Sequence, residues 1–295
     1  MKPSKKFAKI YAEITTVCNL KCEFCHGTKR EAVFVAPETF ALRAEKIARY
    51  TDHVYLHVMG EPLLHPRLGE IIDLAAQNGL KVSITTNGTL LEEKLPLLLE
   101  RAEKLYKISI SLHSFEGNLP FGGKSERLGD MNSYLDGCFF AAEKLGKAGV
   151  IAALRLWNLE GLSQTAPQNS ENAQIIDKLK SRFPDEWSEN RSGMKIGNRV
   201  YLEWGERFDW PDMSAPEGEA HGFCYAMKDH VAVLSDGRVV PCCLDADGEI
   251  PLGNIDNESL DSILDSPKAR AICDGFAAHS LVHPLCRRCG FAKKW

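Results

Sequence analysis

Cys18-Asn19-Leu20-Lys21-Cys22-Glu23-Phe24-Cys25 follows almost directly on a strand-like run, Lys9-Ile10-Tyr11-Ala12-Glu13-Ile14-Thr15. Three cysteines thus fall within eight residues, in a loop just beyond the first strand. Three thiolates in so short a loop can hold three irons of a four-iron cluster and leave the fourth iron open. Substrate chemistry at a cluster requires such an open iron. A structural zinc is the alternative reading. It wants four protein ligands; no fourth cysteine lies nearby, and His26 could be one.

Outward from this loop, short β-branched runs alternate with helical patterns. The strand-like segments are Lys9–Thr15, His53–Val58, Lys81–Thr85, Lys107–Leu112 and Val150–Leu156, with Val200–Trp204 as a sixth. The helical segments between them are Pro37–Tyr50, Pro66–Asn78, Leu90–Lys104, Tyr134–Ala148 and Asn172–Phe183. Connections of helix length imply parallel strands with right-handed crossovers. The expected fold is α/β, a partial (β/α)6 TIM-like barrel. The Pro- and Gly-rich stretch 211–222 marks a boundary, which divides the chain into 1–215 and 216–295. Beyond it His230–Leu234, Asp236-Gly237 and Arg238–Cys242 read as a β-hairpin, and Leu260–Ile272 as a short helix. The tail is rich in cysteine and basic residues, so the second part reads as a small hairpin-plus-helix domain bearing metal ligands or a redox centre.

Ligands of parallel α/β barrels gather at the C-terminal ends of the strands. The polar motifs here fall at those ends: Gly60-Glu61-Pro62, Thr85-Thr86-Asn87-Gly88, Ser109-Ile110-Ser111-Leu112-His113, and Arg155 with Asn158. Taken singly, the first is a plausible turn and Asn87-Gly88 an ordinary turn signal. Taken with the cysteine loop, the chain resembles the radical S-adenosylmethionine (SAM) superfamily. Its hallmark is C-x3-C-x2-C with an aromatic residue before the last cysteine, met here by Phe24. The resemblance implies that Cys18, Cys22 and Cys25 hold a [4Fe-4S] cluster that binds SAM. It implies further that Gly60, Glu61 and Pro62 receive the SAM amino group, that Thr86 and Asn87 lie on the ribose side, and that Ser111 at the end of the fourth strand also binds the cofactor. Arg155 and Asn158 then reach the carboxylate and adenosine. His113 stands where many relatives have Asp.

Five more of the ten cysteines lie late in the chain, at Cys224, Cys242, Cys243, Cys286 and Cys289. A cysteine, a hairpin ending in a second, and a distant C-x2-C supply four thiolates, enough for one cluster or one zinc. The pattern resembles the auxiliary-cluster extension of radical SAM enzymes, called SPASM in its long form and twitch in its short form. The G-x4-C step, Cys243-x-Asp245 and Leu252-Gly253-Asn254-Ile255 carry the likeness. It implies one auxiliary [4Fe-4S] cluster on Cys224, Cys242, Cys286 and Cys289. Cys242 and Cys243 point to opposite faces of a strand, and the spacing from Gly237 favours Cys242. Cys138 and Cys273 read as core thiols.

The resemblance implies reductive cleavage of SAM to a 5′-deoxyadenosyl radical, which takes hydrogen from an unactivated C–H bond. The auxiliary cluster would accept the electron left on the substrate, making the chain an oxidoreductase. The expected substrate is a small polar molecule, sugar- or aminocyclitol-like. Oxidation, cross-linking or epimerisation of a peptide or protein residue is the second reading, and a non-catalytic zinc or iron–sulfur binding module the third. The first strand begins about eight residues into the sequence, which argues against a fused leader-binding domain and so tilts the reading toward a small molecule. Glu206 and Arg207 are the candidate catalytic residues, with Glu203 and Asp209 beside them. Lys29 and Arg30 read as solvated charges. A flavodoxin or ferredoxin is the expected electron donor.

Composition excludes several classes. The 295 residues are 44% hydrophobic and 26% charged, with net charge −4, a globular profile without the basic field of a nucleic-acid binder. No apolar run reaches the ~18 residues of a membrane span, and Met1–Lys9 is not followed by a secretory apolar core. Clustered thiols suit a reducing compartment, so a cytoplasmic location is expected.

Overall fold

The computed structural model describes residues 6–115, 130–159, 170–190, 192–206 and 208–292. In chain order the elements begin β1 (Lys9–Ala12), α1 (Pro37–Ile47), β2 (His53–Tyr55), α2 (Leu68–Gln77), β3 (Lys81–Thr86) and α3 (Leu91–Glu100). They continue β4 (Leu105–Ser111), α4 (Met131–Lys147), β5 (Ile151–Leu159), α5 (Ser170–Arg182), β6 (Ser188–Asn190), β7 (Gly193–Gly197) and β8 (Val200–Glu206). The last are β9 (His230–Val233), β10 (Arg238–Val240), β11 (Gly253–Asn254), α6 (Leu260–Leu264), α7 (Pro267–Ala277) and α8 (Pro284–Arg287).

Two compact units share these elements. One comprises Met1–Cys18, His26–Val82 and Phe208–Trp295; the other comprises Asn19–Cys25 and Ser83–Arg207.

In the first unit the strand order is β11-β10-β9-β1-β2. β1 pairs in parallel with β2 (Ile10↔Val54) and, on its other side, with β9 (Ile10↔Val231, Ala12↔Val233). The C-terminal hairpin β9–β10 is therefore joined to the first strand of the barrel motif rather than standing apart from it. Its turn needs Gly237, at φ +84°, because a side chain there would run into Asp256 and Asn254. Helix α1 starts on Pro37, whose missing N–H costs nothing at a first-turn position, and buries Phe40, Ala44 and Ile47. It also buries Arg43. That guanidinium donates to both Asp256 carboxylate oxygens, at 2.8 and 2.6 Å, and to the Ser235 carbonyl at 3.0 Å. A charge this enclosed persists only when paired.

In the second unit the order is β3-β4-β5-β8-β7-β6. β5 lies parallel to β4 and to β8, so the run at Val200 supplies the sixth parallel strand. β6 and β7, which no sequence pattern announced, add antiparallel strands at the edge. Neither unit's sheet closes on itself, the open form of a βα barrel. α4 packs through Leu135, Cys138, Phe139, Ala142 and Leu145, an i, i+3, i+4, i+7 stripe.

Two expected helices are altered. Leu260–Ile272 is two helices, because the Ser266 hydroxyl accepts from the Ala269 amide and Pro267 occupies the first turn of α7, which begins a new helix there. The helix at 90–104 ends at Glu100, and Ala102–Lys104 forms a separate 3-10 turn.

Candidate functional site

The ends of β1 and β2 meet the segment that leads into the first cysteine. The Glu61 amide donates to the Val17 carbonyl at 2.8 Å. Gly60, at φ +73°, leaves no space for a side chain against the Thr15 carbonyl. The Glu61 carboxylate, buried, accepts from the Leu63 amide at 2.9 Å and so starts the 3-10 turn Pro62–Leu64. Gly60-Glu61-Pro62 thus lies directly against the backbone one residue ahead of Cys18.

In the second unit the rest of the loop is held from β3. Asn87 Nδ2 donates to Asn19 Oδ1 at 2.9 Å, and Asn19 Nδ2 donates to Thr89 Oγ1 at 2.8 Å. Asn87 Oδ1 accepts from the Thr89 amide and hydroxyl at 3.0 and 2.7 Å. Thr86 Oγ1 accepts from the Gly88 amide at 3.1 Å. The motif at the end of β3 therefore grips the cysteine loop through Asn19, a residue that sequence reasoning passed over. The Phe24 ring stands 4.8 Å from the His113 ring, centroid to centroid, and His113 Nδ1 is 3.2 Å from the Arg155 carbonyl. Ser111 ends β4, and its carbonyl accepts from the Tyr134 hydroxyl at 3.3 Å. The Cys25 amide donates to the Cys22 carbonyl at 3.1 Å, closing a tight turn between the two cysteines. Cys18 and Cys25 are exposed and Cys22 is half-buried.

Arg155 sits in the middle of β5 rather than at its end. Its Nε is 3.2 Å from Glu203 Oε2, and Lys107 Nζ is 2.6 Å from Glu203 Oε1. Glu203 lies within β8 and is committed to two cations. Asp209 is exposed, and its carbonyl accepts from the Gly290 amide at 2.9 Å. The two candidate catalytic side chains, Glu206 and Arg207, lie outside the described residues, as does the side chain of Asn158.

The second cysteine group is assembled from three separate parts of the first unit. Burial first, then the neighbouring Cys243, Cys224, Cys286 and Cys289, pushes the Cys242 thiol well above its ordinary range. Cys286 rises to about 12 for the same reasons, burial and then Cys224 and Cys289. Cys224 is likewise raised by burial and by Cys289. The four thiols that the sequence groups are thus electrostatic neighbours, and burial holds three of them, Cys224, Cys242 and Cys286, in the protonated form. That donor set fits an iron–sulfur cluster or a zinc ion. Cys243 differs. Burial raises it to about 11, yet it is hydrogen-bonded to Tyr11 and packs on Val58, Met59, Ala232, Leu234, Val240 and Ala246. Among the described residues no three His, Cys, Asp or Glu side chains stand in metal-ligand geometry. Cys138 is a core thiol against Gly88, raised to about 12 by burial.

Arg30 is no solvated charge. Its guanidinium meets both oxygens of the buried Glu13 carboxylate, at 2.5 and 2.7 Å. The signal for this was available: Glu13 interrupts an apolar strand, and a carboxylate inside one needs a partner.

Comparison with known proteins places these features in a family. The Radical SAM superfamily profile matches residues 12–151, and the SPASM iron–sulfur cluster-binding profile matches residues 224–290. A tungsten-containing aldehyde ferredoxin oxidoreductase cofactor-modifying protein of Pyrococcus furiosus is 32% identical over 251 residues, 79% of this chain and 70% of that one. The subtilosin biosynthesis protein AlbA of Bacillus subtilis is 23% identical over 95% of this chain and 64% of its own length. The chain spans only 43% and 64% of the first two curated relatives it matches. Among solved structures, BtrN in complex with AdoMet and 2-DOIA superposes with TM-score 0.60 and 16% identity, over 97% of this chain and 93% of that one, a likeness of fold.

Proposed function

The chain belongs to the radical SAM superfamily and carries a SPASM domain, and from that premise we propose that it oxidises a C–H bond of a small polar molecule, sugar- or aminocyclitol-like. The two domains imply a [4Fe-4S] cluster that binds SAM, an auxiliary [4Fe-4S] cluster, and SAM itself. When bound, these groups supply hydrogen-atom abstraction from an unactivated carbon and a one-electron acceptor. Cys18, Cys22 and Cys25 hold the first cluster and leave one iron for SAM. The residues proposed to bind SAM are Gly60, Glu61 and Pro62 for its amino group, and Phe24, Thr86, Asn87, Ser111, Arg155 and Asn158 for the rest. Cys224, Cys242, Cys286 and Cys289 would hold the auxiliary cluster, and four thiolates would leave no iron open for substrate, which suits electron storage. Arg207 would hold the polar substrate and Glu206 would take its proton. A flavodoxin- or ferredoxin-like protein delivers the electron.

The observation that carries the small-molecule reading is the match in extent to BtrN, nearly end to end in both chains, in a structure that holds 2-DOIA. AlbA supports the second reading, modification of a peptide residue, because it too aligns over nearly the whole chain. Deuterium transfer separates them. The reconstituted enzyme, given SAM, reductant and perdeuterated aminocyclitols or sugars, should return 5′-deoxyadenosine carrying deuterium. Deuterium appearing only from labelled peptide would replace the first reading with the second.

A further inference from the structure

Five residues after Cys242, Asp247 turns back onto His26–Arg30, the arm that follows Cys25. Asp247 Oδ1 accepts from the Thr28 hydroxyl at 2.7 Å and from the Lys29 amide at 2.8 Å. His26 Nε2 lies 3.7 Å from Asp247 Oδ2, and the His26 ring stacks on Trp210 at 6.1 Å. One residue earlier, the Ala246 carbonyl accepts from Arg30 Nε at 2.8 Å. Arg30 continues inward to Glu13, and its Nη1 also reaches Ser235 Oγ at 3.0 Å. Glu13 then accepts from the Met59 amide at 3.0 Å and the Ser235 amide at 2.8 Å. The end of β1, the end of β2, the hairpin turn and the arm His26–Arg30 are tied through one carboxylate and one guanidinium. All of this lies inside the first unit.

We infer that Asp247, with the Glu13–Arg30 pair beside it, is a positioning residue through which the segment after Cys242 fixes the arm that follows Cys25. The segment after Cys242 then restrains the chain from His26 onward, directly after the last cysteine of the SAM-binding set, without touching SAM. The covalent distances are short: Thr28 is three residues from Cys25, and Asp247 five from Cys242. Displacing either segment moves the other. The inference rests on assigning Cys18, Cys22 and Cys25 to the SAM-binding cluster, and cleavage of SAM by the wild-type holoenzyme tests that assignment separately.

The test uses the full chain, reconstituted, in wild-type form and as Asp247→Ala, Asp247→Asn, Thr28→Val and the double variant Thr28→Val/Asp247→Ala. The first readout is tryptic cleavage at Lys29 and Arg30, which follows local opening. Asp247→Ala should raise its rate on the order of tenfold, the loss of charge-assisted hydrogen bonds. Asp247→Asn keeps an accepting oxygen and should fall between. The second readout is the electron paramagnetic resonance signal of the SAM-binding cluster and its change on adding SAM. Asp247→Ala and Thr28→Val should both alter it while the auxiliary-cluster signal stays as in wild type. The double variant should be little worse than the single ones, since they break one contact. Unchanged cleavage at 29–30 together with an unchanged cluster signal would overturn the inference. So would fully additive effects, or losses falling equally on both clusters.

Discussion

The two cysteine groups differ in how the chain builds them. Cys18, Cys22 and Cys25 sit on one short loop, and two of the three are exposed. Cys224, Cys242, Cys286 and Cys289 come from three distant stretches and are half-buried or buried, with burial first and neighbouring cysteines second raising the thiols of Cys224, Cys242 and Cys286. A local loop is sufficient to present three thiolates and keep an open side. A closed set of four needs long-range assembly, because no single turn can surround a cluster. The difference matches the division of labour in the proposed chemistry, with reaction at the open group and electron storage at the closed one.

The comparison can be broken most severely at the cysteines themselves. Replacing Cys18, Cys22 or Cys25 by Ala should reduce 5′-deoxyadenosine formation to background while about four irons remain. If SAM cleavage persists, the open group is elsewhere. Cys224→Ala with Cys242→Ala should do the reverse: SAM cleavage continues and oxidised product disappears, read by chromatography of both products. Survival of substrate oxidation would remove the electron-acceptor role.

Stability effects follow. Glu13→Gln leaves the buried Arg30 guanidinium without its counter-charge and should cost about 3 kcal/mol or more, read from the urea midpoint. A cost near zero would mean that Arg30 finds water, and that the ends of β1 and β2 are looser than they look. The smallest effect is expected at Cys243→Ala. Iron content should be unchanged and stability should fall by about 1 kcal/mol, from lost packing and the contact with Tyr11. Loss of iron in this variant would exchange the roles of Cys242 and Cys243.

What the sequence disclosed was whatever depends on short spacing. The cysteine intervals, the hairpin turn at Gly237 and the strand-end motifs are all local. The radical SAM and SPASM domains follow from them, and the family comparisons agree. Long-range pairings were hidden. Arg30 looks like a surface charge until Glu13 and the Ala246 carbonyl arrive from elsewhere in the chain, whereas Lys29 is exposed as expected and only its backbone amide is bound, by Asp247. Glu203 looks free until Lys107 and Arg155 occupy it, since alternation reveals which residues share a face but not which side chains reach each other. That the C-terminal hairpin joins β1 was equally invisible, because edge pairing is decided by which strand remains open. The break at Ser266-Pro267 was legible as a capping signal, and the apolar periodicity running across it concealed it.

The most direct test is a count of metal and product from one sample. The protein is reconstituted without oxygen, its iron, zinc and sulfide are measured, and dithionite and SAM are added. The account predicts roughly eight irons with matching sulfide, little zinc, and release of 5′-deoxyadenosine. Full cluster content with no cleavage of SAM, or zinc on the four late cysteines, would contradict it.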